Sequence, residues 1–189
     1  MKKRVSRMNK LIAVVGMSGT GKGVITEYLE SIVWTKLYFG GITYKLMEEA
    51  GIERTEDGKS EKEFREKLRK EHGPECYAKF LEPEIREAIE KENVVLDGLY
   101  SWYEYTYLIE KFENLKLICV ITDKDIRYSR VAERPDRPFD AEAIRYRDIS
   151  EIENLYKGGP IAFADYYILN NGTKEEAIER LKEILEKDV

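Results

Sequence analysis

Short, apolar, β-branched runs recur along the chain at residues 11–15, 36–39, 94–96, 115–121 and 166–169, and polar-rich stretches with helical apolar spacing separate them. Alternation of this kind predicts an α/β fold: a parallel sheet with helices on both faces. One intervening helix is expected over 61–71, with Phe64 and Leu68 on one face and Ser60 with Glu63 as a capping box. The last helix opens on a second capping box, Thr173 and Glu176, and buries a stripe of Ala177, Ile178, Leu181, Ile184 and Leu185. Residues 51–59 and the Pro135 to Pro138 stretch break the pattern. Neither an internal repeat nor a low-complexity segment is evident.

The first apolar run leads directly into Gly16-Met17-Ser18-Gly19-Thr20-Gly21-Lys22, and a helical pattern follows from Val24. Strand, glycine-x4-glycine-lysine loop and helix stand in the order a phosphate-binding loop requires. Glycines let backbone N–H groups turn onto phosphate oxygens, the helix dipole adds to the attraction, and Lys22 reaches the outer phosphates. Residues 16–24 are therefore expected to hold a nucleoside triphosphate, with ATP as donor. One departure matters: the hydroxyl that usually follows the lysine and holds Mg²⁺ is missing, because Gly23 and Val24 occupy those positions. The metal must be held some other way.

Composition narrows the partners. The 189 residues suit a single domain, and 32 Lys and Arg against 37 Asp and Glu give a net charge of −5. That balance speaks against nucleic acid and for a small-molecule partner. Cys76 and Cys119 stand far apart, so neither a disulfide nor a metal cluster is indicated. The basic N-terminus precedes an apolar run too short for a signal or membrane segment, so a cytoplasmic protein without a membrane partner is expected. The single histidine, His72, reads as a helix-end residue.

Asp97 ends the third apolar run, before Gly98. In an open α/β sheet the ligand lies off the carboxyl ends of the strands, so Asp97 is the candidate for organising Mg²⁺. Six arginines, Arg127, Arg130, Arg134, Arg137, Arg145 and Arg147, follow the fourth run. Guanidiniums closing over the site would stabilise charge on a phosphoryl group in flight, and Arg130, Arg134 and Arg137 are the strongest candidates. Lys45, Arg65, Arg69, Lys79 and Arg86 are available to an acceptor phosphate, with surface charge as the competing reading. The aromatic group at Tyr100, Trp102, Tyr103, Tyr105 and Tyr107 offers a base-stacking surface or, more commonly, packing.

Taken together, 16–24, the Leu68–Pro74 segment with Ala78-Lys79, Asp97-Gly98, the arginine spacing, Arg147-Asp148 with Glu151, and Ala164-Asp165-Tyr166 through Asn170-Asn171-Gly172-Thr173 form an ordered set. The chain resembles the archaeal adenylate-kinase-related, dephospho-CoA-kinase-like P-loop proteins within the nucleoside monophosphate kinase group, over nearly its whole length; the archaeal cytidylate kinases are similar in the tail. The resemblance implies a P-loop NTPase fold with a five-stranded parallel sheet in one domain spanning 1–189. It also implies a helical acceptor-binding insertion at about 40–90, a short lid at about 134–140, and the segment 170–173, with Asn171 and Gly172, against the adenine. Departures fall where the acceptor should bind, since Leu99, Tyr100 and Ser101 stand where such kinases carry an arginine. The expected activity is ATP- and Mg²⁺-dependent transfer to a nucleoside monophosphate, by a monomer or homodimer. Dephospho-CoA is the alternative acceptor, and a slowly cycling nucleotide-binding module is the alternative of another class.

Overall fold

The computed structural model describes residues 9–55, 58–135 and 139–187. Five strands, β1 (Leu11–Val15), β2 (Thr35–Tyr38), β3 (Val94–Asp97), β4 (Leu115–Ile121) and β5 (Tyr166–Leu169), form one sheet in the order β2-β3-β1-β4-β5. Every pairing is parallel. The strand period of two divides the core cleanly. Leu11, Ala13, Val15, Leu96, Leu117 and Cys119 face one apolar cluster, and Ile12, Val14, Val95, Ile118 and Val120 face the other. The first cluster is covered by α2 (Phe39–Glu49), α3 (Lys59–His72), α4 (Cys76–Ile89) and α5 (Trp102–Lys111). The second is covered by α1 (Lys22–Ser31) and α9 (Lys174–Glu186).

Because β1 lies between β3 and β4, the crossover from β1 to β2 runs to one side of it and the crossover from β3 carries the chain to β4 on the other. Their divergence opens a crevice at its carboxyl end, where Gly16 and Asp97 emerge side by side. Between β4 and β5 run α6 (Lys124–Ala132), α7 (Ala141–Leu155) and the short α8 (Gly158–Ala162).

Two local expectations need correction. Ser60 and Glu63 do not cap α3. The helix starts at Lys59 behind a left-handed Gly58, and the Ser60 hydroxyl, one residue inside, donates instead to the Glu53 carbonyl (3.0 Å). Residue 39 belongs to α2 rather than to β2, since Phe39 turns into the core as the first residue of the helix. The Thr173–Glu176 box is present at α9, and Ala177, Leu181 and Ile184 are its buried positions. Ile178 and Leu185 lie at the edge of that stripe. His72 ends α3 with its ring edge-on to Phe80 at 5.5 Å. Among the described residues no helix is long and apolar enough to cross a membrane.

Candidate active site

The loop between β1 and α1 is shaped by its neighbours. At Gly16 (φ 144°) a Cβ would come within 2.3 Å of the Val120 carbonyl oxygen. At Gly21, the left-handed N-cap of α1 (φ 87°), it would meet the Asn170 amide at 2.2 Å. Both contacts are with groups held in place, so a side chain would displace the loop. Asn170 Nδ2 donates to the Thr20 carbonyl (2.8 Å) and Thr122 Oγ1 to the same oxygen (3.2 Å), which ties the loop to the ends of β4 and β5. Underneath, the buried Arg127 donates to the Ser18 carbonyl (2.9 Å) and forks onto Asp148 of α7 (3.2 and 2.6 Å). Buried forks of this kind are rigid. Arg127 is thus a strut for the loop, and Arg127→Met is expected to cost about 3–5 kcal/mol of stability, read from denaturant unfolding, because it strands the Asp148 carboxylate.

Lys22 Nζ bridges the Gly16 and Met17 carbonyls at 2.9 Å each, across the mouth of the loop. Burial, then the nearby Lys157, brings its pKa down to about 7, with Glu151 and Asp97 opposing and Arg147 assisting. A polyphosphate would favour the charged form, so nucleotide binding above pH 7 should take up protons and weaken as pH rises. Calorimetric titrations of ATP in buffers of different ionisation heat check this: uptake of a sizeable fraction of a proton at pH 8 is expected.

Asp97 stands opposite, at the end of β3. Its Oδ2 accepts a hydrogen bond from Thr26 Oγ1 (3.3 Å). Burial raises its pKa, while Lys22, Thr26 and Lys36 act to lower it and Glu27 to raise it. Thr26 lies one helical turn beyond Lys22, on the same face of α1. It supplies a hydroxyl near the position where Gly23 has none. Among the described residues no group of three or more histidine, cysteine or acidic side chains forms a metal cage. Mg²⁺ in kinases needs none, being bound by one or two carboxylates with phosphates and waters. One carboxylate and one hydroxyl fit that donor set.

A buried ionic cluster completes the crevice. Glu151 of α7 accepts from Lys157 Nζ (2.6 Å) and from Arg147 Nε (2.9 Å), and Lys157, 2% exposed, lies 4.6 Å from the centre of the Tyr100 ring. Burial alone would raise the Glu151 carboxyl, but Lys157 and Arg147 outweigh it and hold the group below the ordinary glutamate value. Lys157 reaches this place because Tyr156 ends α7 in the left-handed region (φ 52°), where glycine is usual, and Lys157 N–H bonds back to the Glu151 carbonyl (3.2 Å) in a wide closing turn. Arg134 is near enough for Arg147, after burial, to lower its pKa. Lys22 thus stands between Asp97 on one side and the Arg147–Glu151–Lys157 cluster on the other, with Arg134 beside Arg147.

The structure sorts the residues expected from sequence. Residues 16–23, Lys22 and Asp97 converge, and the Val24 amide is already engaged by the Gly21 carbonyl (3.1 Å). Arg130 donates to the Asn170 (2.8 Å) and Gly172 (3.2 Å) carbonyls, bracing the loop after β5. In that loop the Asn171 carboxamide accepts from the Asp123 N–H (2.9 Å). Arg134 falls beyond the end of α6 and faces the ionic cluster, and Arg137 lies outside the described residues. Lys45 makes an exposed pair with Glu84 (3.6 Å), and Arg86 bonds to Glu82 and lies over the Phe112 ring. Arg69 lies beside Glu104, whose carboxylate accepts the Tyr100 and Ser101 N–H groups (3.0 Å each). It reaches the strand-end loop, and its Nε has no partner in the structure. Tyr100 and Tyr38 flank Gly98, where a Cβ would touch both rings at 3.2–3.3 Å. Sequence reasoning missed Thr26 and Lys157, and named Asn170 only as part of the segment expected against the adenine, not as a tie to Thr20. The i, i+4 spacing from Lys22 signals Thr26, whereas nothing in the local sequence marks Lys157, whose place depends on a left-handed tyrosine.

Sheet order, loop and strand-end carboxylate define a P-loop kinase fold. The whole-chain likenesses agree: shikimate kinase from Bacteroides thetaiotaomicron (TM-score 0.59, 18% identity, 94% of this chain and 98% of that one) and dephospho-CoA kinase from Campylobacter jejuni (TM-score 0.58, 18% identity, 96% and 98%). A family model described as an AAA domain matches residues 12–153. The chain belongs to the UPF0200 family, being 31% identical over 182 residues to the UPF0200 protein of Thermococcus gammatolerans, with 94% of each chain covered.

Proposed function

We propose that this protein is an ATP- and Mg²⁺-dependent phosphotransferase related to the adenylate kinases, acting on a small nucleotide, with a nucleoside monophosphate as the leading acceptor. The carrying observation is the convergence of the Lys22 ammonium, the Asp97–Thr26 pair and the Arg147–Glu151–Lys157 cluster at the carboxyl end of β1 and β3. Phosphoryl transfer is served mainly by positioning and by cations around the moving group, and this crevice supplies both. Residues 16–22 would hold the donor phosphates, and Lys22 would move from the Gly16 and Met17 carbonyls onto them. Asp97 and Thr26 would hold Mg²⁺, which when bound offsets charge between the phosphates. Arg134 and Arg147 would face the transferring group. On the acceptor side Arg65 and Arg69 of α3 and the Tyr38 and Tyr100 rings offer an anion site and a flat surface, which suits a nucleotide.

The upward shift of Asp97 keeps a hydroxyl acceptor in view, because a hydroxyl must lose a proton and this carboxylate is placed to take it. Dephospho-CoA is therefore the second acceptor to test. A coupled assay of ATP consumption against nucleoside monophosphates, their deoxy forms, dephospho-CoA, shikimate and gluconate separates the readings. Turnover that rises only with a monophosphate supports the proposal; acceptor-independent hydrolysis would indicate a nucleotide-cycling module instead. In the same assay Asp97→Asn is expected to lower kcat about 10²-fold while ATP affinity changes by less than about threefold.

A further inference from the structure

Helix α7 turns one face to the site and leaves the opposite face, mixed apolar and charged, open. Inward go Ile144, Asp148 and Glu151; outward go Tyr146 (70% exposed), Ile149, Ile152 and Tyr156 (52%) at helical spacing, interleaved with the exposed Glu142, Arg145 and Glu153. Phe163 and Tyr103, the latter edge-on to Tyr156 at 5.5 Å, extend it. Beside the stripe lies a hollow of about 470 Å³ walled by Trp102, Ile152, Tyr156 and Phe163 over Gly158 and Gly159. Large exposed side chains grouped beside an apolar hollow make this face a candidate interaction surface.

We propose that this face binds a second copy of the chain, α7 packing antiparallel on its counterpart about a twofold axis at Ile149. In an antiparallel pair with that axis, residues equally far before and after Ile149 face each other across the interface. Three positions out, Tyr146 meets Ile152 of the partner subunit, apolar on apolar. Four positions out, Arg145 meets Glu153 of the partner subunit, opposite charges set among the apolar contacts, and both residues are exposed and without an ion pair within the chain among the described residues. A twofold axis repeats each contact, so the stripe is complementary to itself, as an isologous interface must be. The register also sets the protruding Tyr146 ring of each copy at the rim of the other's hollow, where Ile152 forms the wall. A rigid aromatic anchor entering an apolar pocket is what concentrates binding energy in an interface. The 15 residues of α7 form a rod about 22 Å long, enough for two such anchors on either side of the axis.

Pairing would reach the crevice through α7 itself, since Arg147, Asp148 and Glu151 lie on its other face. The interface does not depend on the kinase reading, and its failure would leave nucleotide binding untouched.

Sedimentation equilibrium of the full chain tests the proposal. The wild type is expected at twice the chain mass at micromolar concentration. Tyr146→Asp should raise the dimer dissociation constant by about 10²-fold or more, with the far-UV circular dichroism and ATP affinity of the wild type. Arg145→Glu should weaken the dimer roughly tenfold, and adding Glu153→Arg should restore it. Ile149→Cys, placed on the axis, should yield a disulfide-linked dimer on mild oxidation, for Cys76 and Cys119 are both buried. A wild type that stays monomeric at high micromolar concentration, a dimer indifferent to Tyr146→Asp, or an Ile149→Cys variant that does not cross-link would each overturn the proposal. So would a monomer whose hollow takes up an apolar dye unchanged across the dilution series.

Discussion

Lys22→Ala is expected to lower phosphoryl transfer by about 10³-fold or more while the protein folds as before. The ammonium is the loop's only side-chain cation aimed at its mouth, and in a water-poor crevice such a group contributes more to the transition state than it would in water. Folding should be spared for a reason visible in its titration. A lysine brought down to about 7 is one that the folded state prefers neutral. Between pH 7 and the ordinary lysine range the unfolded chain binds the extra proton, so stability rises with pH there, and below pH 7 the buried charge is a net cost. Removing it should leave the melting temperature unchanged or raise it, most visibly at pH 6. A melting series on wild type and variant, run beside the transfer assay, checks both halves. Loss of activity together with loss of structure would mean that Lys22 holds the loop rather than serving the reaction.

The second large effect concerns stability. Glu151→Gln leaves the buried Lys157 without its counter-charge and takes the partner of the partly exposed Arg147, and breaking a buried ion pair this way costs about 3–5 kcal/mol. For a chain of this size that is a fall in melting temperature of roughly ten degrees or more. The double variant Glu151→Gln with Lys157→Met should recover much of the loss, because the stranded ammonium goes with the carboxylate. The pH dependence has a definite sign. The Glu151 carboxyl is held below its ordinary value in the folded protein, so its contribution is present above the unfolded-state pKa, about 4.3, and disappears as pH falls through the folded one. Acid unfolding of the wild type should therefore be steeper than that of the double variant. Equal acid sensitivity would show that Glu151 is not the group that responds.

How far the sequence carries depends on whether a residue acts through local pattern or through the path of the chain. Buried strands announce themselves as apolar runs, so all five elements of the sheet were legible, and the glycine loop was legible because its neighbours in sequence are also its neighbours in space. Asp97 could be placed for the same reason: a strand end in an open sheet points to the crevice whatever lies between. The arginines could not be sorted from spacing. Arg127, Arg130 and Arg134 look equivalent along a helix, yet one is a buried strut on Asp148, one braces the Asn170–Gly172 backbone and one lies past the helix end near Arg147. Ser60 and Glu63 matched a capping box that Gly58 pre-empted by starting the helix earlier. Lys45 and Arg86 have the charge for an acceptor phosphate but stand on helix faces turned to solvent and to Phe112. The Tyr146, Ile149 and Ile152 stripe has ordinary helical periodicity, and only the packed structure shows that Ile144, Asp148 and Glu151, rather than that stripe, face inward.

The most direct test of the account is a crystal structure of the protein with Mg²⁺ and a non-hydrolysable ATP analogue. The triphosphate should lie within hydrogen-bonding distance of the backbone N–H groups of residues 19–22, with Lys22 Nζ drawn off the Gly16 and Met17 carbonyls onto it and the metal beside Asp97 and Thr26. A triphosphate bound elsewhere, with Lys22 still on those two carbonyls at saturating analogue, would contradict it.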